Sequence, residues 1–181
     1  AGDLSEKAMD YIAAILSSTE VLGQQIDTVL DLAQSEAGTL PLERRPVSLS
    51  KIVLDAVMAV KKEAEAADVE LVIDVKAGIG EISGDAKRLR QIFDLMVGYS
   101  LAAFADRQRQ PDGGRRIIIH GEGDSKQAQI IVSDNGPGIE QQGTQAVSLA
   151  LAKQLVTAHD GKFDVLFQPD DGSMISVILP R

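Results

Sequence analysis

A heptad seam near the start of the chain constrains its fold more than any other feature. Ala8, Ile12, Ile15, Thr19, Leu22, Ile26, Val29 and Ala33 follow one another in alternating steps of four and three, the repeat of a continuous stripe along one helix. The spacing predicts a single helix over residues 4 to 36, closed by Gly38, because glycine readily supplies the left-handed stop. At about 1.5 Å per residue such a helix is roughly 50 Å long, more than a small domain covers. Its stripe could pack lengthwise on the rest of the chain, but no partner helix adjoins it in sequence. An intermolecular bundle is the expectation, a homodimer seamed by Ala8, Ile12, Ile15, Leu22, Ile26 and Val29.

The remainder must fold as one ordinary domain. The chain has 181 residues, 44% of them hydrophobic and 25% charged, which excludes a disordered polymer. Eighteen basic against 27 acidic residues leave a net charge of −9, so nucleic acid is not an expected partner. With no cysteine there is no disulfide frame or thiolate metal site. Aromatic residues make up only 3%, so the core is expected to be aliphatic. No apolar run nears the roughly 20 residues of a membrane span, and the start does not read as a signal peptide. A cytoplasmic location follows as an expectation, free or as the cytoplasmic part of a membrane-anchored protein.

Hydrophobic periodicity divides the domain. Residues 37 to 48 read as a linker, with Ser48 a candidate helix N-cap. Leu49, Ile52, Val53, Ala56, Val57 and Val60 mark an amphipathic helix, and Val69, Leu71, Ile73 and Val75 alternate as a strand. A helix is predicted from about Asp85 to Ala105. Strands at 116–120 and 129–133 flank a turn at Gly121–Ser125 as a hairpin. A glycine-containing segment, 134 to 144, leads into a helix ending near His159. Strands at 162–167 and 174–179, joined through Asp171-Gly172, close the chain. This order predicts an α+β layer sandwich, helices over a mixed sheet.

Asp134-Asn135-Gly136-Pro137-Gly138-Ile139 stands at the end of an apolar strand. A strand-end aspartate can accept a hydrogen bond from an exocyclic amine, and glycines after it let the backbone approach a planar ring. Read alone, it is equally a polar turn. In context it resembles the first glycine box of the histidine-kinase ATP-binding domain, shared with gyrase, Hsp90 and MutL. Leu32-Ala33-Gln34-Ser35-Glu36-Ala37-Gly38, followed by Leu40 to Leu49, resembles the end of the family's second dimerisation helix and the linker after it. Gly84-Asp85-Ala86-Lys87-Arg88-Leu89-Arg90-Gln91 is similar to the opening of its asparagine-box helix. Lys153-Gln154-Leu155-Val156 through Ala158-His159-Asp160-Gly161 resembles the helix after the second glycine box. The four stand in the family's order and span nearly the whole chain.

The resemblance implies a GHKL-type two-layer α/β sandwich preceded by one long dimerisation helix. It divides the chain into 1–38, the second helix of a dimerisation hairpin, 39–48, the linker, and 49–181, the ATP-binding domain. It implies that Asp134 reads adenine, with Gly136, Gly138, Ile139, Gly143 and Thr144 around the nucleotide.

The sequence departs from the family where metal and phosphate are held. With Asp85, Arg88, Leu89 and Gln91 setting the register, the family's two asparagines fall on Leu95 and Tyr99, and its nearby basic residue on Ala102. Residues 95, 98, 99 and 102 share one helical face. Mg²⁺ wants oxygen ligands, and this face offers only a phenol, so no magnesium site is expected. Arg90 and Asp94 are expected to form a solvated ion pair rather than a replacement site. The second box's helix-start glycines fall on Ala146 and Ser148, weakening the amide cradle for a polyphosphate. Four residues separate Ile139 from Thr144, too few for the family's ATP lid. Neither His120 nor His159 lies on the long helix, so the family's phosphoacceptor has no counterpart here; His159 is expected to cap its helix. No catalytic residue is assigned.

Two functional readings follow from the resemblance. One is an active ATP-dependent histidine-kinase core. The favoured one is a degenerate, pseudokinase-like core that binds ATP or ADP weakly. It would act through dimerisation and a partner, either a response regulator or another protein of a kinase pathway. A gyrase-like or MutL-like ATPase is disfavoured by the dimerisation-helix ending.

Overall fold

The computed structural model describes residues 6–36, 41–105, 111, 113–137, 144–168 and 171–181. The heptad segment is one helix, α1 (Glu6–Glu36). The chain then forms β1 (Arg45–Ser48), α2 (Leu49–Ala59), α3 (Lys61–Ala66), β2 (Val69–Val75), β3 (Glu81–Gly84) and α4 (Ala86–Ala102). It continues through β4 (Arg115–Gly123), β5 (Gln127–Asp134), α5 (Thr144–Ala158), β6 (Lys162–Gln168) and β7 (Gly172–Pro180).

Five strands make the main sheet in the order β2-β4-β5-β7-β6. β2 runs parallel to β4, while the other pairs are antiparallel. The mixed sheet and the element order agree with the sequence reading. Alternation sets the layers: Ile117, Ile119, Ile130, Val132, Ile175 and Val177 are buried on one face. On them pack Leu49, Val53 and Val57 of α2, Leu89, Ile92, Phe93 and Met96 of α4, and Leu151 and Leu155 of α5. The opposite face is polar along β2 and β4, where Arg116 Nε meets Glu70 at 2.8 Å and His120 Nδ1 meets Asp74 at 2.9 Å.

Two local expectations need correction, and the linker segment carries a strand: β1 pairs antiparallel with β3, Arg45 opposite Gly84 and Ser48 opposite Glu81. Both strands are short, and Pro46 sits in one, so neither carried a periodic signal. The hairpin turn is narrower than expected, since β4 runs on to Gly123 and the side chain of Asp124 accepts from the amides of Lys126 and Gln127. Ser48 stands at the N-cap of α2, but its hydroxyl lies 3.2 Å from that of Ser50 and makes no cap bond.

On α1 the seam residues Ile12, Ile15, Ile26 and Val29 are 42%, 64%, 60% and 54% exposed, and Ala8 is half-buried. The side chain of Leu22 is not among the described groups. The C-terminal part of the helix nonetheless meets the domain. α1 lies against α5, Leu32 packs on the core, and Asp31 pairs with Arg88 of α4.

Candidate nucleotide pocket

Asp134 is the last residue of β5, the central strand of the sheet, whose inward positions are apolar. It is 7% exposed. The antiparallel register sets it opposite Ser173 of β7 and Ile117 of β4. One carboxylate oxygen accepts from the Gly136 amide at 3.0 Å, a short Asx turn. The other accepts a hydrogen bond from the Ser173 hydroxyl. Burial pushes the Asp134 carboxyl above the usual carboxylate range, although the Ser173 and Gly136 hydrogen bonds work against it. A buried carboxylate at a strand end can accept from an exocyclic amine.

The backbone around Asp134 is tightly placed. Asn135 binds the start of β4 with its side chain, accepting from the Arg116 amide at 2.8 Å and donating to the Gly114 carbonyl at 2.7 Å. A Cβ on Gly136 would stand 3.0 Å from Ala103 Cβ and from the Asp134 carboxylate. Gly172 has φ +96°, and a Cβ there would fall on the Asp134 carbonyl oxygen.

From α4, Tyr99 and Ser100 reach the same region. Tyr99 is 6% exposed, its ring centroid 6.2 Å from that of Phe167 at an interplanar angle of 59°. Burial, and then the Asp134 charge, hold its phenol above the usual range, so it is protonated at neutral pH. Ser100 is fully buried and close enough to ease the charge on Asp134, but its hydroxyl does not complete a hydrogen bond. Leu95 packs at the core edge and Ala102 is half-buried. The 95–99–102 face therefore holds a hydrocarbon, a phenol and a methyl group, a donor set that does not fit Mg²⁺.

Ala146 and Ser148 lie in the first turns of α5, both half-buried. Thr144 opens that helix, its side chain outside the described groups; Gly138, Ile139 and Gly143 lie outside the described residues. Arg90 and Asp94 form the expected i,i+4 pair, 2.7 Å apart. Among the described residues no cluster of three histidine or acidic side chains could hold a metal ion, and no helix is long and apolar enough to cross a membrane.

Sequence reasoning missed Ser173 and Ser100. Ser173 could have been found by pairing the last strand antiparallel to the one that ends in Asp134, which places the Gly172-Ser173 start of β7 against that aspartate. Ser100 carries no comparable signal. The capping role expected of His159 is also only part of its position. The ring is 2% exposed, its Nδ1 lies 2.8 Å from the Leu155 carbonyl within α5, and its Nε2 faces the Asp85 amide.

Residues 84–181 match the family model of histidine kinase-, DNA gyrase B-, and HSP90-like ATPases. The chain is 30% identical to the sensor protein DivL of Caulobacter vibrioides over 195 residues, covering 100% of this chain and 24% of that protein. It is 31% identical to the circadian input-output histidine kinase CikA of Synechococcus elongatus over 202 residues, covering 99% of this chain and 26% of CikA. The chain thus spans about a quarter of the length of these relatives. ShkA, solved full-length in complex with AMPPNP, shares the fold, with a TM-score of 0.77 at 20% identity over 99% of this chain and 40% of ShkA.

Proposed function

The chain belongs to the histidine kinase-, DNA gyrase B-, and HSP90-like ATPase family, and from that premise we propose that it is a degenerate kinase core of a two-component sensor protein. In this reading residues 1–38 are the second helix of a dimerisation hairpin, 39–48 the linker, and 49–181 the ATP-binding domain. The core pairs with a second copy through the seam on α1. It signals by contact with a response regulator or another protein of a kinase pathway, in the cytoplasm or on the cytoplasmic side of an anchored parent.

The observation that carries this reading is Tyr99, buried against Phe167 beside Asp134. Phosphoryl transfer of this kind works by positioning and by neutralising charge, and so depends on metal and phosphate contacts. Asp134, with Gly136 and Ser173, keeps a base-reading group, and Gly138, Ile139, Gly143 and Thr144 belong to the same pocket by family register. Leu95, Tyr99, Ala102, Ala146 and Ser148 supply neither the metal oxygen nor the close amides that a triphosphate needs. ATP and ADP then bind weakly and about equally, with no gain from Mg²⁺.

Calorimetric titration of ATP with magnesium and then with EDTA tests this. Near-equal affinities are expected. A tenfold gain with magnesium, about 1.4 kcal/mol, would overturn the degenerate reading and support the active kinase instead. Tyr99→Asn alone is expected to recover little of that gain, because the phosphate side is altered as well.

A further inference from the structure

β2 is an outer strand of the main sheet, paired with β4 on one side and, among the described residues, with no strand on the other. The Lys76 amide donates to the Gly121 carbonyl at 2.9 Å. Alternate residues of a parallel strand turn their N–H and C=O groups the same way. Those of residues 70, 72 and 74 therefore face β4, and those of Val69, Leu71, Ile73 and Val75 face the open side. Natural edges are commonly blunted by a proline, a bulge or a very short strand. β2 has seven residues, no proline and an unbroken register with β4. A groove of about 330 Å³ runs beside it, between the edge and α2–α3. In that groove Met58 is 56% exposed and Ile73 40%.

We propose that β2 is a docking edge for a second copy of this chain, the two strands pairing antiparallel about a two-fold axis at Ile73. The contact joins two five-stranded sheets edge to edge. Ile73 then faces the second copy's Ile73, and Leu71 faces its Val75. These aliphatic pairs lie on the helix-covered side, where Leu71 and Ile73 neighbour the buried Ile117 and Ile119. On the polar side Glu70 faces the second copy's Lys76, and by symmetry Lys76 faces its Glu70.

Charge selects both the partner and the register. Opposite charges facing across antiparallel strands stabilise the pair, and like charges destabilise it. Glu70 and Lys76 meet Arg116 and Glu122 of their own chain at 2.8 Å and 3.5 Å, yet their side chains stay 60% and 58% exposed. Pairing at Ile73 extends these into a row of alternating sign, Arg116–Glu70 of one copy followed by Lys76–Glu122 of the other, formed twice in each dimer. Centring the pair on Val72 would instead set Glu70 twice against Asp74 of the second copy. Centring it on Asp74 would set that carboxylate against itself. The overall charge of −9 opposes self-association, and a single edge pairing is small, so the contact is weak and depends on concentration. With the α1 seam, β2 gives each copy a second contact in a different place, so that copies can follow one another in a row. The inference uses no property of the nucleotide pocket and stands or falls apart from the degenerate-kinase reading.

The seam is first silenced in the full chain with Ile15→Asp and Ile26→Asp, so that sedimentation equilibrium reads the edge alone. A reversible dimer is expected in this background. Ile73→Pro removes an N–H on the open side and leaves the bonds to β4, so it should abolish the dimer with the circular dichroism of the fold retained. Ile73→Lys, which sets a charge on the edge without constraining the backbone, should do the same should the proline variant fail to fold. Glu70→Lys and Lys76→Glu should each weaken the dimer about three- to thirtyfold, because each acts at two places. Combined, they should regain most of that loss. Because the chain has no cysteine, mild oxidation reads the register. Ile73→Cys should cross-link two copies, whereas Val72→Cys, set opposite Asp74, lies too far from its own counterpart to bridge. The proposal is overturned if the seam-silenced chain stays monomeric up to about 1 mM, or if Ile73→Lys leaves its dimer unchanged. Cross-linking of Val72→Cys as readily as Ile73→Cys overturns it too.

Discussion

The backbone amide of Asp85 donates a hydrogen bond to Nε2 of His159 across 3.0 Å, joining the start of α4 to the end of α5. Nε2 must therefore be unprotonated, and Nδ1 carries the proton toward the Leu155 carbonyl 2.8 Å away. Both ring nitrogens are engaged only in the neutral form.

This makes folding stability sensitive to mild acid. Burial lowers the His159 pKa, with Arg44 adding to the effect and Leu155, Asp85 and Asp160 opposing it. The unfolded chain, with a histidine pKa near 6.5, then binds the proton more tightly than the folded one, so stability rises with pH in this window. It is complete above about 6.5 and falls as pH drops from there through the folded value. Asp31 and Asp85, whose pKa values are lowered, contribute stability that is lost only in the more acid carboxylate range. Urea midpoints measured at a series of pH values should show the first decline. His159→Leu should flatten it while costing about 1–3 kcal/mol, because the Asp85 amide loses its acceptor.

Asp134→Asn is expected to stabilise the fold while weakening adenine binding. Burial disfavours the charged form of the native carboxyl and so raises its pKa. Asparagine removes the charge, can still accept from Gly136, and can donate to the Ser173 hydroxyl. A gain of about 1 kcal/mol would raise Tm by roughly 2–4 °C. Calorimetric melting checks the stability and ADP titration the binding; a lower Tm would show that the charge itself holds β5 to β7.

Gly172→Ala should be among the most damaging single changes. The residue sits at φ +96°, and its Cβ would fall on the Asp134 carbonyl oxygen. Either β7 moves off β5 at that end or the substitution costs about 3 kcal/mol or more. The first outcome separates Ser173 from Asp134. Urea unfolding and the amide resonances of Asp134 and Ser173 would register the change. Unaltered stability would show that the β7 start relaxes freely.

Association should depend on the exposed stripe of α1. Ile15→Asp with Ile26→Asp sets charges at two seam positions that are 64% and 60% exposed in the single chain. Sedimentation equilibrium should show weaker self-association with little loss of domain stability, since neither residue is buried in the fold. An unchanged association state would place the contact elsewhere.

Local patterns foretold much of this structure. The heptads marked α1, Asp85 marked the start of α4 and does cap it, accepting from the Lys87 and Arg88 amides, and Asp134 ends its strand as read. The parts that stayed hidden depend on contacts between distant segments. β1 and β3 exist as strands because Arg45 to Ser48 finds Glu81 to Gly84, a pairing no short window contains. Ser173 joins the candidate pocket only through the β5–β7 register. His159 could be read as a helix-end residue, but its bond to Asp85 spans 74 positions. Likewise, the segments around Asp31 and Arg88 each looked familiar without showing that they touch.

One helix, α4, carries both the groups that grip α1 and the groups beside Asp134. Arg88 and Tyr99 are eleven residues apart on it, about 16 Å along the axis. Substitutions separated by more than roughly 7–10 Å and sharing no partner usually add independently. Exchanges at Tyr99 or Ala102 can therefore accumulate without loosening the seat of the long helix. A lineage of such chains can lose chemistry at one end of α4 and keep its mechanics at the other.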